Sequence, residues 1–306
     1  MSAYIQGRLV TLVPVLIGVS IAVFLMLHLT PGDPARMVAG MDATPEQVDR
    51  VRHLLGLDQP LYRQYFGYVG RLLQGDMGRS IITHDRVIDD LWPRYQATVE
   101  LTVAAMAVSV GVGLFIGIAS AVRQYSVLDN ALSVVALVGI SIPAYWLGLM
   151  LIVAFSLRLR WFPVAGMGGL AHLVLPAVTL GAFAMAIVAR MTRASMLDVL
   201  GQDYIQTVRA KGVREGRLLI RHALKNALIP ILTVIGLQAG QLLGGAVLTE
   251  SVFAWPGIGR FMVDAIQARD FPIVQGGVLL TALTFVLINL LVDLLYSAVD
   301  PRIKYA

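Results

Sequence analysis

Six apolar runs, each long enough to cross a bilayer as a helix, constrain this 306-residue chain more than any other feature. They cover residues 9–29, 97–122, 131–157, 173–189, 227–248 and 273–299. About 20 residues rising 1.5 Å each span a hydrocarbon core of about 30 Å. In that solvent every backbone N–H and C=O must find a partner within the protein, which helices provide internally. The expected fold class is therefore an all-α polytopic membrane protein with six transmembrane helices. Composition agrees. Hydrophobic residues make up 57% and charged residues 14%, with mean hydropathy +0.75, whereas a soluble domain is roughly 45–50% apolar and about 25% charged. The first run follows Arg8 and has no small-x-small site before Pro31. It is longer than the roughly 7–15 residues of a signal-peptide core, so it reads as an uncleaved span.

We divide the chain into a first transmembrane helix (1–30), a polar insert (31–96) and a five-helix core (97–306). The insert carries eight Arg and nine acidic residues, so it is nearly neutral. Thr44-Pro45-Glu46-Gln47 has the cap, first-turn proline and third-position amide of a helix start. Gly56 ends that helix near Leu55, a second amphipathic helix covers 58–73, and Gly75-Asp76-Met77-Gly78 makes a turn. Long insertions translocate largely regardless of charge, so orientation is read from the other loops. These hold 12 Lys and Arg on one side against 4 on the other. The richer side is cytoplasmic by the positive-inside rule, which places both termini and the loop 203–226 inside and the insert outside.

The net charge of +5 sits at the ends of apolar runs, and no basic patch is interleaved with aromatics, so nucleic acid is excluded as a partner. With no cysteine, disulfides and thiol chemistry are excluded as well. No two of the five His share helical spacing and HExxH is absent, which gives no metal site. No GxSxG elbow supports a hydrolase, and no GxxxxGK[ST] loop binds nucleotide. Glu100, Glu250 and Asp293 lie near the ends of spans, where they read as water-accessible interfacial or capping carboxylates. A proton-coupled carrier would place a carboxylate at mid-depth. Pro143 removes a helical hydrogen bond and kinks the third span.

Two segments remain as functional candidates. The fifth run carries Gly236, Gly240 and Gly244 with Gln238 and Gln241. Small residues admit a close neighbour and buried amides need partners, so this helix reads either as packing or as the lining of a path at a subunit interface. The stretch 203–230 holds Arg209, Lys211, Arg214, Arg217, Arg221 and Lys225 between two spans. It reads as two short helices, 206–213 and 218–228, around Gly212 at a left-handed position. The residues alone leave open a helix resting on acidic lipid and a coupling element seated on a cytoplasmic ATPase.

The segment Asp203-Tyr204-Ile205, Arg209-Ala210-Lys211-Gly212 and Arg221-His222-Ala223-Leu224-Lys225-Asn226-Ala227-Leu228-Ile229-Pro230 resembles the EAA loop of permease subunits of bacterial ABC importers, in the peptide and nickel branch. Further motifs extend the resemblance along the chain. They are Pro31-Gly32-Asp33-Pro34, Gly56-Leu57-Asp58-Gln59-Pro60-Leu61, Gly75-Asp76-Met77-Gly78-Arg79-Ser80, Glu250-Ser251-Val252-Phe253, Trp255-Pro256-Gly257-Ile258-Gly259-Arg260 and Asp300-Pro301-Arg302. The large insert points to the first permease of a pair, the one resembling dipeptide and glutathione permeases.

The resemblance implies a type I importer-permease fold in the cytoplasmic (inner) membrane. It implies a second homologous permease, two ATPase subunits that carry ATP and Mg, and an extracytoplasmic solute-binding protein. This chain itself would hold no cofactor and perform no catalysis. Tyr204, Arg209, Ala210, Lys211, Gly212, Arg214, Arg217 and Arg221 would meet an ATPase, Gln238 and Gln241 would line the path, and Asp33, Trp255 and Arg260 would meet the binding protein. Di- or oligopeptides are the expected substrates, with glutathione or a nickel chelate as the alternative. The sequence departs from the general loop in having Gln206-Thr207-Val208 where Glu-Ala-Ala would stand, so the name-giving glutamate has no counterpart here.

Overall fold

The computed structural model describes residues 2–29, 33–40, 42–54 and 56–299. Pro31-Gly32, Leu55 and the Asp300-Pro301-Arg302 ending lie outside the described residues, as do the side chains of Arg8 and Asp293. Among the described residues the chain is helical throughout, apart from turns and one isolated bridge between Arg79 and Arg86.

The helices are α1 (Ser2–Leu29), α2 (Pro34–Ala39), α3 (Pro45–Leu54), α4 (Leu61–Leu73), α5 (Val87–Val122), α6 (Val127–Ser141), α7 (Ala144–Leu151), α8 (Leu170–Leu200), α9 (Asp203–Ala210), α10 (Glu215–Arg217), α11 (Lys225–Val252), α12 (Ile258–Gln267) and α13 (Phe271–Val299). Two π-helical segments, Ile152–Arg158 and Leu218–Leu224, continue α7 and join α10 to α11.

Four of these are long and apolar enough to cross a membrane: α5, α8, the continuous helix Glu215–Val252, and α13 over Phe271–Val292. In α1 the apolar stretch Leu12–Met26 is shorter. The third run is no straight span. Val127–Ser141 and Ala144–Arg158 meet at 110° across a two-residue break. Pro143 causes the break: Ile142 before it is extended (φ −83, ψ 127), as proline demands of its predecessor. The expected kink is thus a corner. The helix α5 has 36 residues, about 54 Å at 1.5 Å per residue. It starts ten residues before the apolar run, so Glu100 lies in its interior, where its side chain is exposed.

The chain forms two compact units, Gln96–Arg260 with residues from Leu287 onward, and Ser2–Tyr95 with Phe261–Val286. In the first, α8 packs on α6, α7 and α11. Its core joins Ala97, Leu101 and Ala105 of α5 to Ala177, Leu180 and Ala184 of α8 and Leu242 and Ala246 of α11. The many alanines let backbones approach, which is how helices associate where lipid removes the hydrophobic drive. Gly117 marks a close approach: a Cβ there would lie 2.6 Å from the Ala189 carbonyl oxygen and 2.5 Å from the Thr192 Cβ. Gly236 is similarly tight, its Cβ position 2.3 Å from Val292, whereas Gly244 faces open space.

In the second unit α4 lies against α1, joined by Ser20 and Tyr65 hydroxyls at 2.8 Å. The expected cap of α3 forms: Gln47 N–H donates to Thr44 Oγ1 (3.4 Å) while Thr44 N–H donates to Gln47 Oε1 (2.9 Å). Ser80 donates to the Asp270 carboxylate, which also accepts from Ile81 N–H at 3.2 Å, and so the 79–86 turn is fastened to the start of α13.

Candidate coupling surface

The loop 203–226 holds one short helix and the beginning of a long one. Helix α9 overlaps the first of the two expected, 206–213, but starts and ends three residues earlier, and the second, 218–228, is not separate. It is the leading end of the helix that runs unbroken from Glu215 to Val252. A π-helical turn at Leu218–Leu224 lies within this continuous helix, six residues before Pro230.

Helix α9 is amphipathic and half sunk. Ile205 is fully buried in a cluster with Met196, Leu218, Ala223, Ala227 and Ile231. Burial of one such side chain contributes about 1.5–3 kcal/mol. Two polar ties flank it. Asn226 Nδ2 donates to Tyr204 Oη (2.7 Å) and to the His222 carbonyl (3.1 Å), and Tyr204 Oη donates to that same carbonyl (3.2 Å). The His222 carbonyl thus keeps partners beside the π-helical turn. Across the 211–214 turn, Arg209 Nε donates to Glu215 Oε1 at 2.7 Å. That carboxylate holds the exposed guanidinium above its usual pKa. Gly212 has φ +75, and its N–H reaches the Arg209 carbonyl at 3.0 Å, closing α9 in the left-handed manner expected.

The outward face of this mount is basic. Arg209, Ala210, Lys211, Arg214, Arg217 and Arg221 are all exposed, and Gly212 has no atom within 4 Å of its Cβ position. On this face Arg209 has an acidic partner, Glu215, at 2.7 Å. The arrangement presents an exposed, positively charged short helix packed on a long helix, which suits docking into an acidic or polar groove.

The other expected site residues are dispersed. Gln238 is buried (6% exposed) and Gln241 exposed, in one row with Leu237, Gly244, Gly245 and Leu248 along an uncovered face of α11. Asp33 caps α2, accepting from Ala35 N–H at 3.0 Å, and pairs with Arg52. Trp255 corrects the sequence reading: it is fully buried, with its indole N–H on the Ala97 carbonyl at 2.9 Å, so it is a packing residue and not a docking contact. An indole left inside an apolar core must spend its N–H on a backbone oxygen, and that bond fixes the 253–257 turn. Arg260 serves the same turn through its backbone, donating to Glu250 Oε2 at 2.8 Å.

Glu250 is the second correction. It is not water-accessible but 0% exposed, accepting also from Thr98 Oγ1 at 2.6 Å. Thr98 in turn accepts from Ile258 N–H at 2.8 Å. The sequence reading missed Asp129 and Arg193. Asp129, 2% exposed, accepts from Arg193 Nε (2.8 Å), Arg193 Nη2 (2.7 Å) and Tyr125 N–H (2.9 Å). The signal was present: Ser126-x-x-Asp129 before an apolar run has capping-box spacing, and Ser126 Oγ accepts from Asp129 N–H. No group of three or more His, Asp or Glu among the described residues could hold a metal ion.

Residues 113–305 match the family described as binding-protein-dependent transport system inner membrane component, and residues 1–102 match its N-terminal companion. The chain is 46% identical to a dipeptide transport system permease protein, DppB, of Alkalihalophilus pseudofirmus, with 100% of both chains covered. It is also 46% identical to a glutathione transport system permease protein, GsiC, of Escherichia coli, with 99% of both covered. Among solved structures it is similar to the inward-facing MetNI methionine ABC transporter, with a TM-score of 0.57, 22% identity, and 69% of this chain and 96% of that one covered. A chain of an amino acid ABC transporter gives a TM-score of 0.52 at 17% identity, covering 67% and 92%. At those identities the two likenesses concern the fold.

Proposed function

Because the chain belongs to the binding-protein-dependent transport system inner membrane component family, in the peptide branch of ABC importer permeases, we propose that it passes di- or oligopeptides across the inner membrane as one permease of an ATP-driven pair. The family is one of transport permeases and not of enzymes. Full-length identity to a dipeptide permease carries the substrate class. Equal identity to a glutathione permease makes that tripeptide the second candidate.

In this reading ATP and Mg are held by two cytoplasmic ATPase subunits. Each permease receives one of them on the surface formed by Tyr204, Arg209, Ala210, Lys211, Gly212, Arg214, Arg217 and Arg221. Ile205, Tyr204 and Arg209 fasten α9 to the helix that becomes α11, so a displacement of α9 is delivered to that span. The uncovered row Leu237, Gln241, Gly244, Gly245 and Leu248 is the surface we assign to the second permease and the path between the two. Both termini lie in the cytoplasm, and Asp33, Arg260 and the 31–96 insert face the solute-binding protein outside.

Affinity purification in mild detergent followed by mass spectrometry tests this reading. We expect a second permease and ATPase subunits to accompany the chain, and the reassembled complex to take up dipeptides in proteoliposomes only with ATP. A partner-free chain that transports without ATP would overturn it.

A further inference from the structure

A recess of about 330 Å³ opens where the end of α1, the 53–59 turn and α4 meet, bordered by Gln275 of α13. Its wall is unlike the rest of the insert, whose charges nearly cancel. Arg63, Arg71, His28 and His53 line it, His53 being paired with Asp58 at 2.8 Å.

The hydrogen bonds orient one further polar group. Gln64 Nε2 donates to the carbonyls of Leu57 (3.2 Å) and Gln59 (2.7 Å), so its Oε1 is the atom turned to His28 Nε2, at 3.1 Å. The other ring nitrogen of His28 faces the Phe24 carbonyl at 3.1 Å. Both ring nitrogens of His28 therefore face oxygen atoms. Beside it the Tyr68 hydroxyl is buried with no partner. Burial, then the neighbouring Tyr65, pushes that hydroxyl up to about 12, which keeps it a proton donor. Two guanidinium groups and a spare hydroxyl donor around a roomy cavity describe a seat for an oxyanion.

We infer that this recess holds the phosphate of an acidic phospholipid. Three features select a lipid over a soluble anion. The recess lies at the end of an apolar helix of a membrane protein, and the exposed stripe Ile17, Ile21 and Leu25 ends one turn before His28. Tyr62, Tyr65, Phe66 and Tyr68 crowd α4, as aromatic residues do at headgroup depth. Tyr62 and Phe66 are exposed on the face of α4 turned away from the recess, which places that helix in the interface. An acyl chain along the α1 stripe then brings its phosphate to Arg63, Arg71 and His28. The recess of about 420 Å³ beside Phe115, Ile118 and Leu128 has Arg123 as its one charged lining residue and lacks such donors.

The full-length chain, purified in mild detergent with the subunits that accompany it, is offered equal amounts of phosphatidylglycerol and phosphatidylcholine and weighed by native mass spectrometry. We expect phosphatidylglycerol to be retained with a preference of about tenfold or more. The Arg63→Gln/Arg71→Gln double variant should fall to parity. Parity in the unaltered chain, or an undiminished preference in the variant, overturns the assignment. Displacement of the lipid by excess inorganic phosphate does so too, giving the recess to a free anion. As a check that needs no variant, phosphatidylglycerol with a photoreactive headgroup should label residues 53–71, and label spread evenly over α5–α13 would refute the site.

Discussion

Replacing Gly212 separates the backbone of the coupling surface from its contacts. Gly212 sits at φ +75 with nothing within 4 Å of where a Cβ would stand. A side chain there meets no steric obstacle within this chain, but an L-residue in that region costs about 1–2 kcal/mol, and asparagine less. Gly212→Val therefore strains only the turn, and the strain is relieved by letting go of the Gly212–Arg209 and Arg209–Glu215 bonds that close it. An unfavourable change of that size lowers the equilibrium constant for the seated α9 by about 5–30-fold. ATP-driven dipeptide uptake by reconstituted complex should fall in the order Gly212, Asn, Ala, Val at unchanged membrane insertion. Gly212→Trp adds bulk on the outward side and should abolish uptake altogether. Uptake by the Val variant equal to that of Gly would refute the claim that the turn's shape matters. A Trp variant no worse than Val would refute docking at this surface, since only a partner can sense the bulk.

Glu250→Ala leaves Thr98 and the Arg260 N–H without their acceptor in a buried site, at about 1–3 kcal/mol for each unpaired group. The thermal midpoint should drop steeply and Trp255 emission should shift to the red, while an unchanged midpoint would show the carboxylate to be idle. Arg193→Met strands the Asp129 carboxylate at 2% exposure and should cost a similar amount, whereas Arg193→Met with Asp129→Leu should recover most of it. A double variant as unstable as the single one would show that the pair is not the unit that matters.

Long apolar runs were legible because spacing is enough to specify a helix in lipid. The same runs hid their corners. Pro143 announced a departure from regularity, but its 110° magnitude depends on Ile142 going extended and on the packing of α7 against α8 and α11, which no local pattern carries. The left-handed Gly212 and the Thr44 cap were readable because both are local devices in which one residue type answers one backbone need. Trp255 and Glu250 were misread for the opposite reason. A tryptophan after a span suits an interface and a carboxylate there suits water, yet both are drawn inside by partners at Ala97 and Thr98, more than 150 positions away. Asp129 was overlooked because its guanidinium partner lies 64 residues on.

The placement of the polar groups gives the coupling reading its mechanical content. Buried acids fix the two ends of the helical core: Asp129 ties the 123–126 turn to α8, and Glu250 ties the end of α11 to α5 and α12. Each is met by several donors, so removing either acid leaves buried donors unpaired. The polar ties of α9 are of another kind: exposed, few and all directed to the segment that leads into α11. Its deepest contact, Ile205, also lies largely among residues of that helix, Leu218, Ala223, Ala227 and Ile231. A load applied to α9 therefore reaches α11 through these contacts, and α8 through the two-residue link and Met196. The π-helical turn at Leu218–Leu224 lies on that route, at the one place where the register of the long helix is already relaxed.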